Sequence, residues 1–311
     1  MSSLVETRIN YFVPPADGSR AFRWINSTYP GGGRRRNWEP SDFAATVENV
    51  RGRERFPEFN LDVTGFEFHK SPTKVEDFGN ESLIKSKYYE ECIQNLKDIT
   101  GASRVVIFDH TIRRPRPEGT EDTPDNRGPA LIAHVDQTPE SAKRRVRLHL
   151  PESDVPSLLS KRYQIINLWR PINNPAWQLP LALCDFRSVA NEQGGDFVPI
   201  TLKYPDRDGE TLGVKHNSQH KWKYLAGMTP DEFILIKCFD SKLDGSVATF
   251  TPHTAINDPT TPAGVPDRQS IEIHSYKMLQ LISLHQTFLS SHVGHIPHAS
   301  TSQSSWFRIV W

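Results

Sequence analysis

What most constrains the fold of this chain is its punctuation. Short apolar runs at 5–13, 66–69, 104–110, 131–137, 163–169, 181–189, 197–204, 233–239, 247–253 and 268–276 are each closed by a turn signal. At least eight short strands at such spacing predict a sandwich or barrel. Helical period is rarer and sits early. Leu83, Ile84, Tyr88, Cys92, Leu96 and Ile99 recur at helical spacing between Asn80, a plausible N-cap, and Gly101, a plausible stop. Thr138-Pro139-Glu140 places a second N-cap and a proline at the first helical position, so a helix should run to about His149. The fold class expected is mainly β with buttressing helices, a jelly-roll or barrel. Residues 38–55 carry no clear period.

Composition narrows the compartment and the partners. The 311 residues suffice for a sizeable core. Lys plus Arg equals Asp plus Glu, 37 each, so no global field draws the protein to nucleic acid or to an anionic membrane. The basic clusters Arg34-Arg35-Arg36, Arg113-Arg114-Pro115-Arg116 and Lys143-Arg144-Arg145 read as solvated faces, because no aromatic interleaving accompanies them. Cys92, Cys184 and Cys238 are odd in number and widely spaced, which suits buried reduced thiols. No leader pattern or membrane-length apolar run is present, so a soluble, cytoplasmic protein is expected. Residues 112–129 are dense in proline, glycine and charge and read as a long loop, suited to a lid over the strand after it.

That strand contains Ala133-His134-Val135-Asp136-Gln137-Thr138. On a strand, residues two apart point to one face, so His134 and Asp136 should stand side by side. A distant His253, in Phe250-Thr251-Pro252-His253-Thr254-Ala255, offers a third ligand. Two histidines and a carboxylate on one face of a metal form the facial triad of non-haem Fe(II) oxygenases. His216 and His220 compete with His253 for that place. Fifteen residues past His253 come Arg268 and Ser270, again on one strand face, a fork and a hydroxyl suited to a remote carboxylate. Ile165, Asn167 and Trp169 share a face. His220, Trp222 and Tyr224 alternate on another and could wall a substrate site, with Trp169 a weaker candidate; an aromatic ladder with no ligand is the competing reading. His110 reads as structural.

Several stretches together resemble the fungal hydroxylase/desaturase group related to gibberellin desaturase and to the small chain of the cephem methoxylase. They are Phe108-Asp109-His110-Thr111-Ile112-Arg113, His134-Val135-Asp136-Gln137-Thr138-Pro139, Ile165-Ile166-Asn167-Leu168-Trp169-Arg170-Pro171-Ile172, His220-Lys221-Trp222-Lys223-Tyr224, Met228-Thr229-Pro230-Asp231-Glu232 and Arg268-Gln269-Ser270-Ile271-Glu272. The resemblance spans residues 5 to 277. It implies a double-stranded β-helix (jelly-roll, cupin-like) with Fe(II) as cofactor, 2-oxoglutarate and O2 as co-substrates, and a small natural-product substrate. It also implies metal ligation by His134, Asp136 and His253, and co-substrate binding by Arg268 with Ser270. Residues 1–278 would then form one domain with an N-terminal arm. Residues 279–311, which hold His285, His292, His295 and His298, would form an extension beyond the usual pattern. A zinc-dependent hydrolase with the same ligands and a non-catalytic cupin-like binding protein are the rivals.

Overall fold

The computed structural model describes residues 3–25, 35–53, 57–116 and 127–278. Among them, fourteen strands run in chain order: β1 Ser3–Val13, β2 Phe22–Trp24, β3 Glu39–Asn49, β4 Phe66–Lys70, β5 Arg104–Arg113, β6 His134–Val135, β7 Tyr163–Pro171, β8 Leu181–Cys184, β9 Phe197–Lys203, β10 Asp208–Val214, β11 Trp222–Tyr224, β12 Glu232–Asp240, β13 His253–Ala255 and β14 Ser270–Met278. They form two sheets. One has nine strands in the order β1-β3-β11-β8-β13-β6-β10-β9-β2, the other five in the order β4-β12-β7-β14-β5. This is the jelly-roll expected from the strand spacing.

The two sheets face each other across one core. Leu181 and Leu183 of the larger sheet pack in the same buried cluster as Ile165, Trp169, Ile236 and Ile273 of the smaller one. The strands β7, β12 and β14 are buried on both faces almost throughout; only β12 reads as a nearly continuous apolar run, while β14 alternates apolar and polar residues. A second core lies behind the larger sheet. β1 and β3 pair along their whole length, and β1 then bridges back to Ile132, with the Ala133 amide donating to the Asn10 carbonyl at 2.9 Å. The curl encloses Val5, Ile9, Tyr11, Val47, Ala133, Val135, Ala182, Cys184, Trp222 and Tyr224. The N-terminal arm is therefore a hairpin that covers the backs of the strands bearing the histidines. The strand β3 has no clear signal in the sequence: Phe43, Ala45 and Val47 do alternate inward, but charged and small residues dilute the pattern.

The helical stripe forms as read, with one addition. Asn80 accepts from the Leu83 amide at 3.1 Å, α1 covers Glu81–Leu83, a π-helical segment covers Ile84–Tyr88, and α2 covers Tyr89–Thr100. The helix closes at Gly101, whose φ of 65° suits a residue without Cβ. Ile84, Tyr88, Cys92 and Leu96 are all buried. Steps of four residues drift round a helix of 3.6 per turn, and the wider π turn keeps these side chains over the core. The next helix, α3 Pro139–His149, starts with a capping box on Thr138 and Ser141.

Three strands are shorter than the sequence suggests. The run at 131–137 is ladder-paired only at His134–Val135, and the run at 247–253 is not a strand until His253 itself. The run at 181–189 ends at Cys184 and continues as a 3-10 turn, Phe186–Ser188. Residues 117–126, most of the expected lid, and the extension after residue 278 lie outside the described residues. Among the described residues, no helix is long and apolar enough to cross a membrane. All three cysteines are free and buried.

Candidate active site

The i, i+2 rule holds over the short β6. Ala133 and Val135 enter the rear core, so His134 and Asp136 are left on the opposite face, toward the smaller sheet. His253 lies directly across the ladder from His134, with ring centroids 4.4 Å apart. The His134 Nε2 is 3.4 Å and the His253 Nε2 3.8 Å from the same oxygen, Asp136 Oδ1. One ligand atom from each of the three residues falls within 4.8 Å of the others.

The two imidazoles are held alike. Each Nδ1 lies against the carbonyl two residues earlier, His134 on Ile132 at 2.8 Å and His253 on Thr251 at 3.0 Å. A carbonyl only accepts, so Nδ1 carries the proton and Nε2 keeps its lone pair, the state a metal requires. Burial and the neighbouring His134 push the His253 pKa down, which keeps it neutral. Gly65, at φ 89°, lets the chain pass close behind Thr251; a Cβ there would sit 2.5 Å from Thr251 Oγ1 and 2.9 Å from the Phe250 carbonyl.

Arg268 and Ser270 lie at the start of β14, both about 2% exposed or less. The Arg268 Nη1 donates to the Leu179 carbonyl, and its guanidinium carbon sits 5.5 Å over the Trp169 ring. Among the described residues, its Nε and the Ser270 hydroxyl are buried with no hydrogen-bond partner. Burial lowers the Arg268 pKa to about 9, and the charge of Arg113 presses the same way. Arg113 is the residue directly across the ladder from Ser270. Part of one basic cluster therefore faces inward rather than toward solvent. Two buried or half-buried guanidinium groups and two unpartnered donors make a site for an anion with more than one acceptor oxygen.

The aromatic candidates divide. Trp169 faces the interior, as the floor beneath Arg268 rather than as a wall beside the histidines. Trp222 and Tyr224 do not face the site. Lys223 and His253 both pair with Leu183, so these share a face; Trp222 and Tyr224 pair with Cys184 and Ala182 and point into the rear core. There Trp222 Nε1 donates to Tyr11 Oη at 2.8 Å, and Tyr224 Oη donates to Asp258 at 2.8 Å. His220 is tied to Asp196 at 2.9 Å and Tyr11 at 3.2 Å, and His216 stacks on Phe43 at 4.1 Å. Both are anchored to the N-terminal hairpin layer and leave the third place to His253. His110 bonds Tyr89 at 2.8 Å and sits 3.2 Å from Glu81, beside α1 and α2.

Three neighbours of the site escape a reading of the sequence. Asn167 Nδ2 donates to Asp136 Oδ2 at 2.7 Å and to Glu272 Oε1 at 2.8 Å, and Cys238 Sγ lies 3.2 Å from Asp136 Oδ2. Signals for two of them exist: Asn167 is a polar residue on an otherwise apolar face, and Glu272 continues the i, i+2 series of Arg268 and Ser270. A cleft of about 710 Å³ lies between the first helical segments and β5 and includes none of the three convergent residues.

The chain is similar to several known proteins. A family profile described as "Oxidoreductase/YMDC permease-like domain" matches residues 9–277. The chain is 35% identical to hydroxylase/desaturase efuI of Hormonema carpetanum, over 87% of this chain and 94% of that protein. It is 34% identical to hydroxylase/desaturase CTB9 of Cercospora beticola, over 82% of this chain and 81% of that protein. It is 28% identical to the Fe(II)/2-oxoglutarate-dependent dioxygenase nvfI of Aspergillus novofumigatus, over 84% and 92%. The solved structure of the iron and alpha-ketoglutarate-dependent endoperoxidase NvfI superposes with a TM-score of 0.76 at 22% identity, covering 89% of this chain and 98% of that one, and so shares its fold. The chain belongs to the fungal hydroxylase/desaturase family of oxidoreductases, whose relatives include Fe(II)/2-oxoglutarate-dependent dioxygenases.

Proposed function

We propose that this protein is an Fe(II)- and 2-oxoglutarate-dependent oxygenase of natural-product biosynthesis that oxidises a C–H bond of a small molecule. The observation that carries the reading is a pair of neighbouring features, linked where Asn167 bridges Asp136 to Glu272, two residues past Ser270 on β14. Three ligand atoms converge with both imidazole lone pairs free, and a buried arginine and serine keep donors without partners among the described residues. His134 Nε2, His253 Nε2 and Asp136 Oδ1 would hold Fe(II) on one face. Arg268 and Ser270 would bind the distal carboxylate of 2-oxoglutarate, with Arg113 adding positive charge and Trp169 the apolar floor. Bound together, Fe(II), 2-oxoglutarate and O2 supply an oxidant able to take hydrogen from an unactivated C–H bond, with succinate and CO2 as by-products.

The chain's own contribution is orientation. The Ile132 and Thr251 carbonyls fix the tautomer and ring plane of each histidine. The dry floor under Arg268 strengthens its pairing with a carboxylate. Hydroxylation, desaturation and ring closure all fit this machinery, and the position of the substrate carbon selects among them. Protein loaded with Fe(II) in air should release succinate from 2-oxoglutarate, faster when the right fraction of a fungal metabolite pool is added. Equal turnover of that fraction by zinc-loaded protein without 2-oxoglutarate would instead establish the hydrolase.

A further inference from the structure

We propose that Asn167, held in place by Glu272, and Cys238 form a lock that keeps Asp136 attached to the metal through one oxygen only. The inference rests on the function proposed above. The two oxygens of Asp136 face different ways. Oδ1 looks toward both histidine Nε2 atoms, at 3.4 and 3.8 Å. Oδ2 is turned away and taken by two donors from the opposite sheet, Asn167 Nδ2 at 2.7 Å and Cys238 Sγ at 3.2 Å.

Each donor is aimed by something else. The Asn167 side chain is buried in β7, and the second hydrogen of the same Nδ2 goes to Glu272 Oε1 at 2.8 Å. An amide nitrogen shared by two carboxylates has one tolerable orientation, because the flipped amide would set its oxygen against both. Glu272 is thus the group that decides which end of Asn167 meets Asp136. Cys238 is aimed by backbone. Along β12, Lys237 pairs with Ile166 and Phe239 with Ile165, so Cys238 is the extra residue of a β-bulge. Bulges re-aim side chains beside active sites, and this one turns a thiol onto Asp136. The thiol is buried and lies with its hydrogen within reach of Asp136 Oδ2.

The lock has a consequence for coordination. Three single-atom ligands leave the other positions of the metal open, which a co-substrate chelating through two oxygens and a molecule of O2 both need. A carboxylate released at Oδ2 can swing to ligate with both oxygens and occupy one of those positions. Asn167, Cys238 and Glu272 would therefore guard the vacancy without touching the metal, as positioning residues.

The test uses the full chain, apo and then loaded with Co(II) as an air-stable probe. Co(II) affinity, the Co(II) visible spectrum and the anaerobic affinity for 2-oxoglutarate are measured with thermal unfolding alongside. Loss of groups that orient metal ligands typically costs 10- to 100-fold in metal affinity or activity. Asn167→Ala should weaken 2-oxoglutarate binding by about that factor and change the Co(II) spectrum. Glu272→Gln should fall between it and wild type, and Cys238→Ser, the mildest change, should stay near wild type while Cys238→Ala moves the spectrum. If Asn167→Ala does not fold, Glu272→Gln and Cys238→Ala carry the test. Folded Asn167→Ala, Glu272→Gln and Cys238→Ala proteins whose spectra and 2-oxoglutarate affinities all match wild type within about twofold overturn the lock, being far short of the loss expected. Wild-type protein that binds Co(II) but shows no 2-oxoglutarate response overturns the proposed function instead.

Discussion

Arg268 is a buried cation with no carboxylate partner among the described residues. Its pKa is lowered to about 9 by burial, and its Nε makes no hydrogen bond there. Removing one partner of a desolvated charge pair costs roughly 2–5 kcal/mol, or about 30- to 4,000-fold in affinity. Arg268→Ala should lose 2-oxoglutarate affinity on that scale and leave metal affinity unchanged, measured separately by anaerobic titration. Arg268→Lys should recover part of it, since an ammonium lacks the fork. Tyr224 makes the opposite prediction. Its hydroxyl serves Asp258 in the rear core, so Tyr224→Phe should cost about 1–3 kcal/mol of stability in chemical denaturation. Product identity and the ratio of succinate to product should not change. A sequence shows that Trp222 and Tyr224 share a strand face. It does not show which face, because the N-terminal hairpin makes both sides of that sheet apolar.

At the scale of elements, β1, β4, β5, β7, β9, β12 and β14 are legible as runs closed by turn signals. The strands of the candidate ligands are legible through chemistry rather than pattern, since β6 and β13 are too short to carry a period. β3 is hidden by its charged outer face, and the π segment by its resemblance to ordinary helix. The close pass of Gly65 behind Thr251 couples two such elements. Gly65→Ala should destabilise by more than about 1 kcal/mol and also weaken metal binding, because Thr251 orients His253. The outer end of β12 carries a buried charge cluster: Asp240 meets Arg162 at 2.7 Å, Lys237 at 2.8 Å and Gln164 at 2.6 Å. Burial alone would raise Asp240, but Arg162 and Lys237 hold it down at about 2. Its folded pKa is below the unfolded value of about 3.9, so its stabilisation is present above that pH and lost as pH falls toward 2. Asp240→Asn should cost roughly 3 kcal/mol at neutral pH by leaving Lys237 less compensated. The same variant should show a smaller loss of stability between about pH 4 and pH 2 than wild type in acid denaturation.

For the whole molecule, the jelly-roll and the common face of His134 and Asp136 follow from strand spacing and the i, i+2 rule. The supporting shell does not, because Asn167, Cys238 and Glu272 meet only when two sheets close on each other, and the bulge at Cys238 has no sequence period. The central claim is that a three-ligand metal site and a dicarboxylate anchor are neighbours. Its most direct test is an anaerobic titration of Fe(II)-loaded protein with 2-oxoglutarate, followed by visible absorption. Wild type should develop a weak charge-transfer band that saturates. His253→Ala should show none, and Arg268→Ala should show the same band only at far higher 2-oxoglutarate. No band in wild-type protein that has bound Fe(II), or an unchanged band in His253→Ala, would contradict the account.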